Sequence, residues 1–241
     1  MWHDEARGIH AIVFKDMKTY YLKPPAVSWG IVFPVAWILA FYLRNPRSFE
    51  ELVPGLIAMT ILFSTTAAEA VVINFELRLG SLERLILTPV SITGVLLGKV
   101  IGGALFGFLM TVVITTGSAL ILGIDFNVFM LLLIIIPSLL VFSSLGALVC
   151  VSVREVFEAQ TLLNLPRFLM VFLSGVVYPV SAMPAALQHI AHFLPLTYAV
   201  SGIRSAFVGD FNMVILNSIV LLGFFVLFIF PAIRLLGRRF E

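Results

Sequence analysis

The sequence predicts an all-helical membrane protein, and three observations carry that expectation. Of its 241 residues 61% are hydrophobic and 12% charged, with a mean hydropathy of +1.10, so a water-soluble chain of this size would have to expose broad apolar surface. The apolar residues gather into six runs, each long enough to be weighed against a bilayer core of about 30 Å. Finally, the fifth run enters L-S-G-V-V-Y-P at Leu173 to Pro179, followed by Met183-Pro184 and Leu194-Pro195. Each proline removes an amide donor and crowds the preceding turn, so the helix is expected to break there. Broken backbone at membrane depth needs protein or a water-filled cavity around it.

Ahead of the first run, Ile9 to Leu22 reads as an amphipathic helix, with Ile9, Val13, Met17, Tyr20 and Tyr21 on one arc and Ala11, Lys15 and Lys18 opposite. Pro24-Pro25 is expected to end it. It is expected in the cytoplasmic headgroup layer, with a solvated helix as the alternative. The mixed charge of this segment and the lack of a small-x-small site argue against a cleavable leader.

The six expected spans are Val27 to Leu43, Leu52 to Ile73, Ile92 to Leu122, Val128 to Val151, Leu162 to Val180 with a broken continuation, and Met213 to Leu235. The first is short and the third long. The whole is read as one domain: an interface segment over 1–26, a bundle over 27–235 and a cytoplasmic tail over 236–241. With the N-terminus inside, all Lys and Arg fall on the cytoplasmic side except Arg44, Arg47 and Arg204, so both termini are expected in the cytoplasm of a multi-pass cell-membrane protein.

Between the second and third runs, Gly80 is placed to stop a helix, Ser81 to cap the next, Glu83 to favour its N-terminus and Pro89 to end it. Leu82, Leu85 and Ile86 give this short helix an apolar side that fits either a partner protein or the bilayer surface. Gly94, Gly98 and Gly102 recur at steps of four, with Gly103 and Gly107 beside them, a spacing that suits close packing within one subunit or a dimer seam.

Glu69 and Arg167 lie near the cytoplasmic ends of the second and fifth runs, and each either snorkels to the surface or pairs with the other. Phe168, Phe172 and Tyr178 fall at helical spacing and either pack or line a hydrophobic path. His189 and His192 have no acidic or thiol neighbour in sequence, so no metal site is expected, and Cys150 reads as a packed thiol. Gly94 to Val100 has three residues between its glycines and no Ser or Thr after Lys99, so it is not a phosphate-binding loop. No hydrolase or metalloprotease motif occurs, and catalysis by this chain is not expected.

Taken in order, the amphipathic N-terminal helix, G-S-L-E-R-L-I-L-T-P-V with Leu97 to Lys99, E-A-Q at Glu158 to Gln160 with Asn164, L-S-G-V-V-Y-P, M-P and L-P-L-T-Y resemble the membrane subunit of the type 2 ATP-binding-cassette (ABC) exporters, the family of daunorubicin-resistance permeases and polysaccharide exporters. The resemblance implies that Gly80, Ser81, Leu82, Glu83, Arg84 and Leu85 belong to a coupling helix seated in a cleft of a soluble ATPase subunit. It also implies that Ser174, Gly175, Pro179, Pro184 and Pro195 belong to an external re-entrant segment. On this reading the chain works as a dimer with a second permease copy and exports a hydrophobic drug, a lipid or a related substrate. It carries no cofactor, since ATP and magnesium would be bound by the ATPase, and no nucleic-acid partner is expected. The rivals are a self-sufficient secondary transporter or channel, which calls for ionisable residues at mid-membrane or an inverted repeat, and a non-transporting scaffold.

Overall fold

The computed structural model describes residues 2–44, 49–86, 90–153 and 155–240, and nearly all of them are helical, with no strand among them. Helix α1 (Trp2–Asp16) runs on through a wider turn over Met17–Tyr21. The four-residue α2 (Pro24–Val27) and a second wide turn, Ser28–Val32, lead into α3 (Phe33–Arg44). There follow α4 (Val53–Arg78), α5 (Ser81–Ile86), α6 (Ile92–Leu122), α7 (Val128–Ser152), α8 (Val156–Leu173), α9 (Ala185–His192), α10 (Pro195–Val208) and α11 (Phe211–Phe240). Among the described residues, α4, α6, α7 and α11 are long and apolar enough to cross a membrane, and Gly30–Leu43 is a shorter apolar helix. The first expected run is met by that shorter helix, and the fifth, expected over Leu162 to Val180, by α8, which starts at Val156 and ends at Leu173.

Local chemistry explains most boundaries. Ser91 caps α6 by accepting from the Gly94 amide at 2.9 Å, and Gly123 closes it at φ +65°. Asn127 caps α7 through the amides of Phe129 and Met130. The N-terminal helix does end just ahead of Pro24-Pro25, at Tyr21 with Leu22 as its cap, and Pro24 also opens α2, because the first helical turn needs no amide donor. The later prolines act differently from the sequence expectation. Helix α8 ends at Leu173, before any of the three prolines, through Ser174 and a Gly175 at φ +79°, while Pro166 lies inside it. Pro179 precedes a short 3-10 turn, Val180–Ala182, Pro184 sits at the N-terminus of α9, and Pro195 is the first residue of α10. They start elements; the Ser174–Gly175 corner makes the break.

The bundle is built around α4, of whose apolar stretch 94% is buried, against 28% for α11. Helix α4 packs on α6, α7 and α8; α7 packs on α11 and α10; α1 lies along α6. The hydroxyls of α4 are satisfied within the helix, as where Thr60 donates to Leu56 O and Thr65 to Ile61 O, both at 2.8 Å. The α6 glycines from Gly94 to Gly107 serve contacts within this chain. A Cβ at Gly98 would lie 3.2 Å from Ile12, one at Gly102 3.3 Å from Tyr21, and one at Gly107 2.4 Å from Thr65. One glycine face therefore seats α1 and its wide turn, and the other seats α4.

Candidate functional site: a buried charge clasp at the base of α5

Four charged side chains meet where α1, the end of α4 and the start of α6 converge. Lys99, about two turns into α6, places Nζ 2.7 Å from Asp16 Oδ2 and 2.5 Å from Glu76 Oε2. Lys15 donates to Glu76 Oε1 and lies 3.2 Å from Asp16 Oδ1 without hydrogen-bond alignment. Asp16, Glu76 and Lys99 are buried, while Lys15 reaches the surface. Two cations and two anions leave the cluster formally neutral, the condition under which charge is tolerated away from water. Burial alone pulls the Lys15 amine down, yet Glu76 and Asp16 together hold it above its ordinary value. Burial also pushes the Asp16 carboxyl up, against the downward pull of Lys99 and Lys15.

The position of this cluster matters. Glu76 sits two residues before α4 ends at Arg78, and Lys99 belongs to α6, so the clasp joins the two stems of the loop that carries α5 and fastens both to α1. A second tie lies alongside: Ser91, at the head of α6, donates to Glu5 of α1, and a Cβ at Gly8 would strike Val90 at 2.3 Å. Helix α1 is therefore locked to the base of α5 by charge and by close packing.

Among the expected coupling residues, Gly80 has φ +67° and breaks α4 from α5, whose first residue is Ser81. Leu82 is buried in a core with Ile73, Val95 and Leu96, and Leu85 packs against the same core. Leu82 therefore points into the bundle rather than toward a partner or the bilayer. A six-residue helix is unstable alone and must be anchored by its apolar side. The side chains of Glu83, Arg84 and Ile86, and residues 87–89 including Pro89, lie outside the described residues.

The structure does not bring Glu69 and Arg167 together. Arg167 Nε donates to Thr66 Oγ1 at 2.8 Å and Nη1 to Asn164 Oδ1 at 3.1 Å, with the guanidinium 5.5 Å from the centre of the Phe63 ring. Glu69 is wedged between α6 and α7, where Ser143 Oγ lies 2.7 Å from Oε1 and a Cβ at Gly103 would clash with it. Both side chains are buried, so neither snorkels.

At the other end of α8, Ser174 is buried and Arg204 Nη2 donates to Gly175 O at 3.0 Å. A Cβ at Gly55 would lie 2.3 Å from Val176 O, so the corner is pressed onto the start of α4. Beyond Pro179, Gln188 donates to Met183 O, Thr197 to Ala191 O and Tyr198 to His192 O, which folds the segment onto itself. Phe168 and Phe172 join Trp37, Phe33 and Phe63 in an aromatic cluster, with Phe172 and Trp37 centred 5.6 Å apart edge to face. Both remain partly open, at 37% and 56% exposure. Tyr178 follows the end of α8 and is exposed, so the helical spacing that linked it to Phe168 and Phe172 does not hold.

Sequence reasoning did not single out Asp16 and Glu76, and it treated Lys15 and Lys99 as ordinary cytoplasmic charges. The available signal was a lysine well inside an apolar helix, which demands counter-charges from somewhere.

Comparison with known proteins agrees with this architecture. Residues 7–208 match the ABC-2 type transporter domain. Over 205 residues the chain is 30% identical to the probable multidrug ABC transporter permease YbhS of Escherichia coli K12, a match covering 81% of this chain and 54% of that protein. It is 25% identical over 213 residues to the inner membrane transport permease YadH of the same strain, covering 85% of this chain and 81% of that protein. A 74-residue stretch is 42% identical to nodulation protein J of Rhizobium leguminosarum bv. viciae, 30% of this chain and 27% of that protein. The chain thus spans about half the length of the first relative. Its named relatives are membrane permeases, and this chain belongs to the ABC-2 type transporter family.

Proposed function

We propose that this chain is the membrane half of an ATP-driven exporter, working as a dimer with a separate ATPase that seats on α5. The observation that carries the reading is the clasp: Asp16, Glu76, Lys99 and Lys15 tie both stems of α5 to α1, so a push on α5 reaches α4, α6 and α1 together. A loop helix serving only as a connection would not call for three buried charges behind it. Nucleotide binding by the ATPase biases the bundle toward its outward state by no more than the difference in binding free energy between the two states.

On this reading the chain crosses the membrane six times, with both termini and α5 cytoplasmic. The corner at Ser174–Gly175, with Pro179, Pro184 and Pro195 in the elements after it, forms an external re-entrant closure, and the partly open Phe168 and Phe172 face the path at the seam with the second copy. A hydrophobic drug or lipid suits that aromatic lining. The name of the relative YbhS, a probable multidrug permease, favours the same substrate class. This chain binds no nucleotide itself; ATP and magnesium belong to the partner.

The test is the double variant Glu83→Ala/Arg84→Ala, co-expressed with the ATPase. Loss of ATPase association or of ATP-driven transport, with membrane insertion intact, is expected. Normal transport would overturn the role given to α5.

A further inference from the structure

Where α4, α6 and α7 meet, Ser143 Oγ lies 2.7 Å from Glu69 Oε1 and 2.8 Å from the backbone carbonyl oxygen of Val100. All three residues are buried. We infer that Glu69 is carried as a neutral carboxylic acid, and that its proton fastens α4 to α7 and, through Ser143, to α6. This fastening is independent of the export function proposed above.

A count of hydrogens carries the assignment. Two oxygens this close repel unless a hydrogen lies between them, so the two contacts of Ser143 need two hydrogens. A serine hydroxyl supplies one and a backbone carbonyl none, which leaves Glu69 as the source of the second. Glu69 Oε1 then donates to Ser143 Oγ, and Ser143 donates to Val100 O. An ionised Glu69 would leave one of the two contacts with lone pairs facing each other.

The surroundings favour the same state. Glu69 Oε2 is buried without a partner, and among the described residues no Lys or Arg lies within ion-pairing distance of this carboxyl. The titratable groups that face it are Lys99 of α6, Asp16 and Tyr21 of α1 and its wide turn, and Cys150 of α7. Lys99 gives its ammonium to Asp16 and Glu76, and Arg167 of α8 is turned to Thr66 and Asn164. A bare carbonyl oxygen in such a place costs far less than a bare carboxylate oxygen.

The slot itself is close-fitting. A Cβ at Gly103 would strike Glu69 Oε1, and one at Gly146 would lie 3.0 Å from Glu69 Cβ, so the side chain is seated between a glycine of α6 and a glycine of α7. Removing the proton puts an unpaired charge at the junction of three helices, which then loosens.

The experiment is infrared spectroscopy of the purified full chain in detergent, wild type against Glu69→Gln. At neutral pH a protonated-carboxyl C=O band, shifted in D2O, is expected in the wild type and is lost in Glu69→Gln, whose carboxamide donates to Ser143 in place of the acid. Ser143→Ala removes the acceptor of the proton and is expected to shift the band to higher frequency. The folded chain holds a proton that the unfolded chain gives up, so stability falls as the pH rises. Wild type and Glu69→Gln are therefore expected to unfold at the same temperature at neutral pH, and the wild-type midpoint to drop below that of the variant once alkali has removed the band. The absence of any band that depends on Glu69 would overturn the neutral state. So would a Glu69→Gln variant that fails to fold, since its side chain is the closest mimic of the neutral acid. A band unmoved by Ser143→Ala, or equal midpoints after the band is lost, would overturn the fastening.

Discussion

Lys99 lies inside a helix whose neighbouring residues are Gly, Leu, Val and Ile, and its ammonium is held there by two carboxylates from other helices. Removing one member of such a cluster leaves the others buried and unbalanced, at a cost of about 3–5 kcal/mol. Lys99→Met is therefore expected to lower the unfolding midpoint in detergent well below that of the wild type, and adding Glu76→Gln to recover part of the loss. A single variant as stable as the wild type would show that the carboxylates are content without Lys99. The same scale shows where the sequence was illegible. Glu69 and Arg167 could be placed at similar depth from helix spacing alone, but the direction each faces depends on how α4 and α8 are rotated by packing. That rotation gives Arg167 to Thr66 and Asn164, and Glu69 to Ser143. Asp16 and Glu76 stand near helix ends, where charges ordinarily meet water, so nothing local marked them as buried.

Helix α6 was legible to its bounds from its continuous apolar run, and the structure adds the reason it stops there, a Ser91 cap at one end and Gly123 at the other. The segment after α8 was legible only as a break. Proline reads in sequence as a stop, yet at the first helical turn it is a start, and the corner is made by Ser174 and Gly175. The glycine stripe was legible as close packing, but only the fold assigns its partner, α1. That contact is tight: a Cβ at Gly98 already presses on Ile12 at 3.2 Å. Gly98→Leu should lift α1 from α6, with an overpacking cost of about 1–3 kcal/mol. Hydrogen exchange over residues 2–21 reads this directly: protection is expected to fall, and unchanged protection would mean that α1 is held by the clasp alone.

At the scale of the whole molecule, family, helical class and membrane character were all legible, because they rest on composition, run length and motif order. The orientation proposed here rests on the placement of Lys and Arg and is open to direct test. In a Cys150→Ser background, Ala185→Cys in α9 and Glu83→Cys in α5 should react with an impermeant reagent from opposite sides of the membrane; labelling of both from outside intact cells would reject the six-span arrangement. The account as a whole turns on α5 being the place where force enters, with the clasp behind it. A benzophenone attached at Arg84→Cys, in the same Cys150→Ser background and co-expressed with the ATPase, measures this most directly. The account predicts a cross-link to the ATPase whose yield changes when ATP is added. Adducts confined to lipid or to this chain, with no ATPase attached in any nucleotide state, would contradict it.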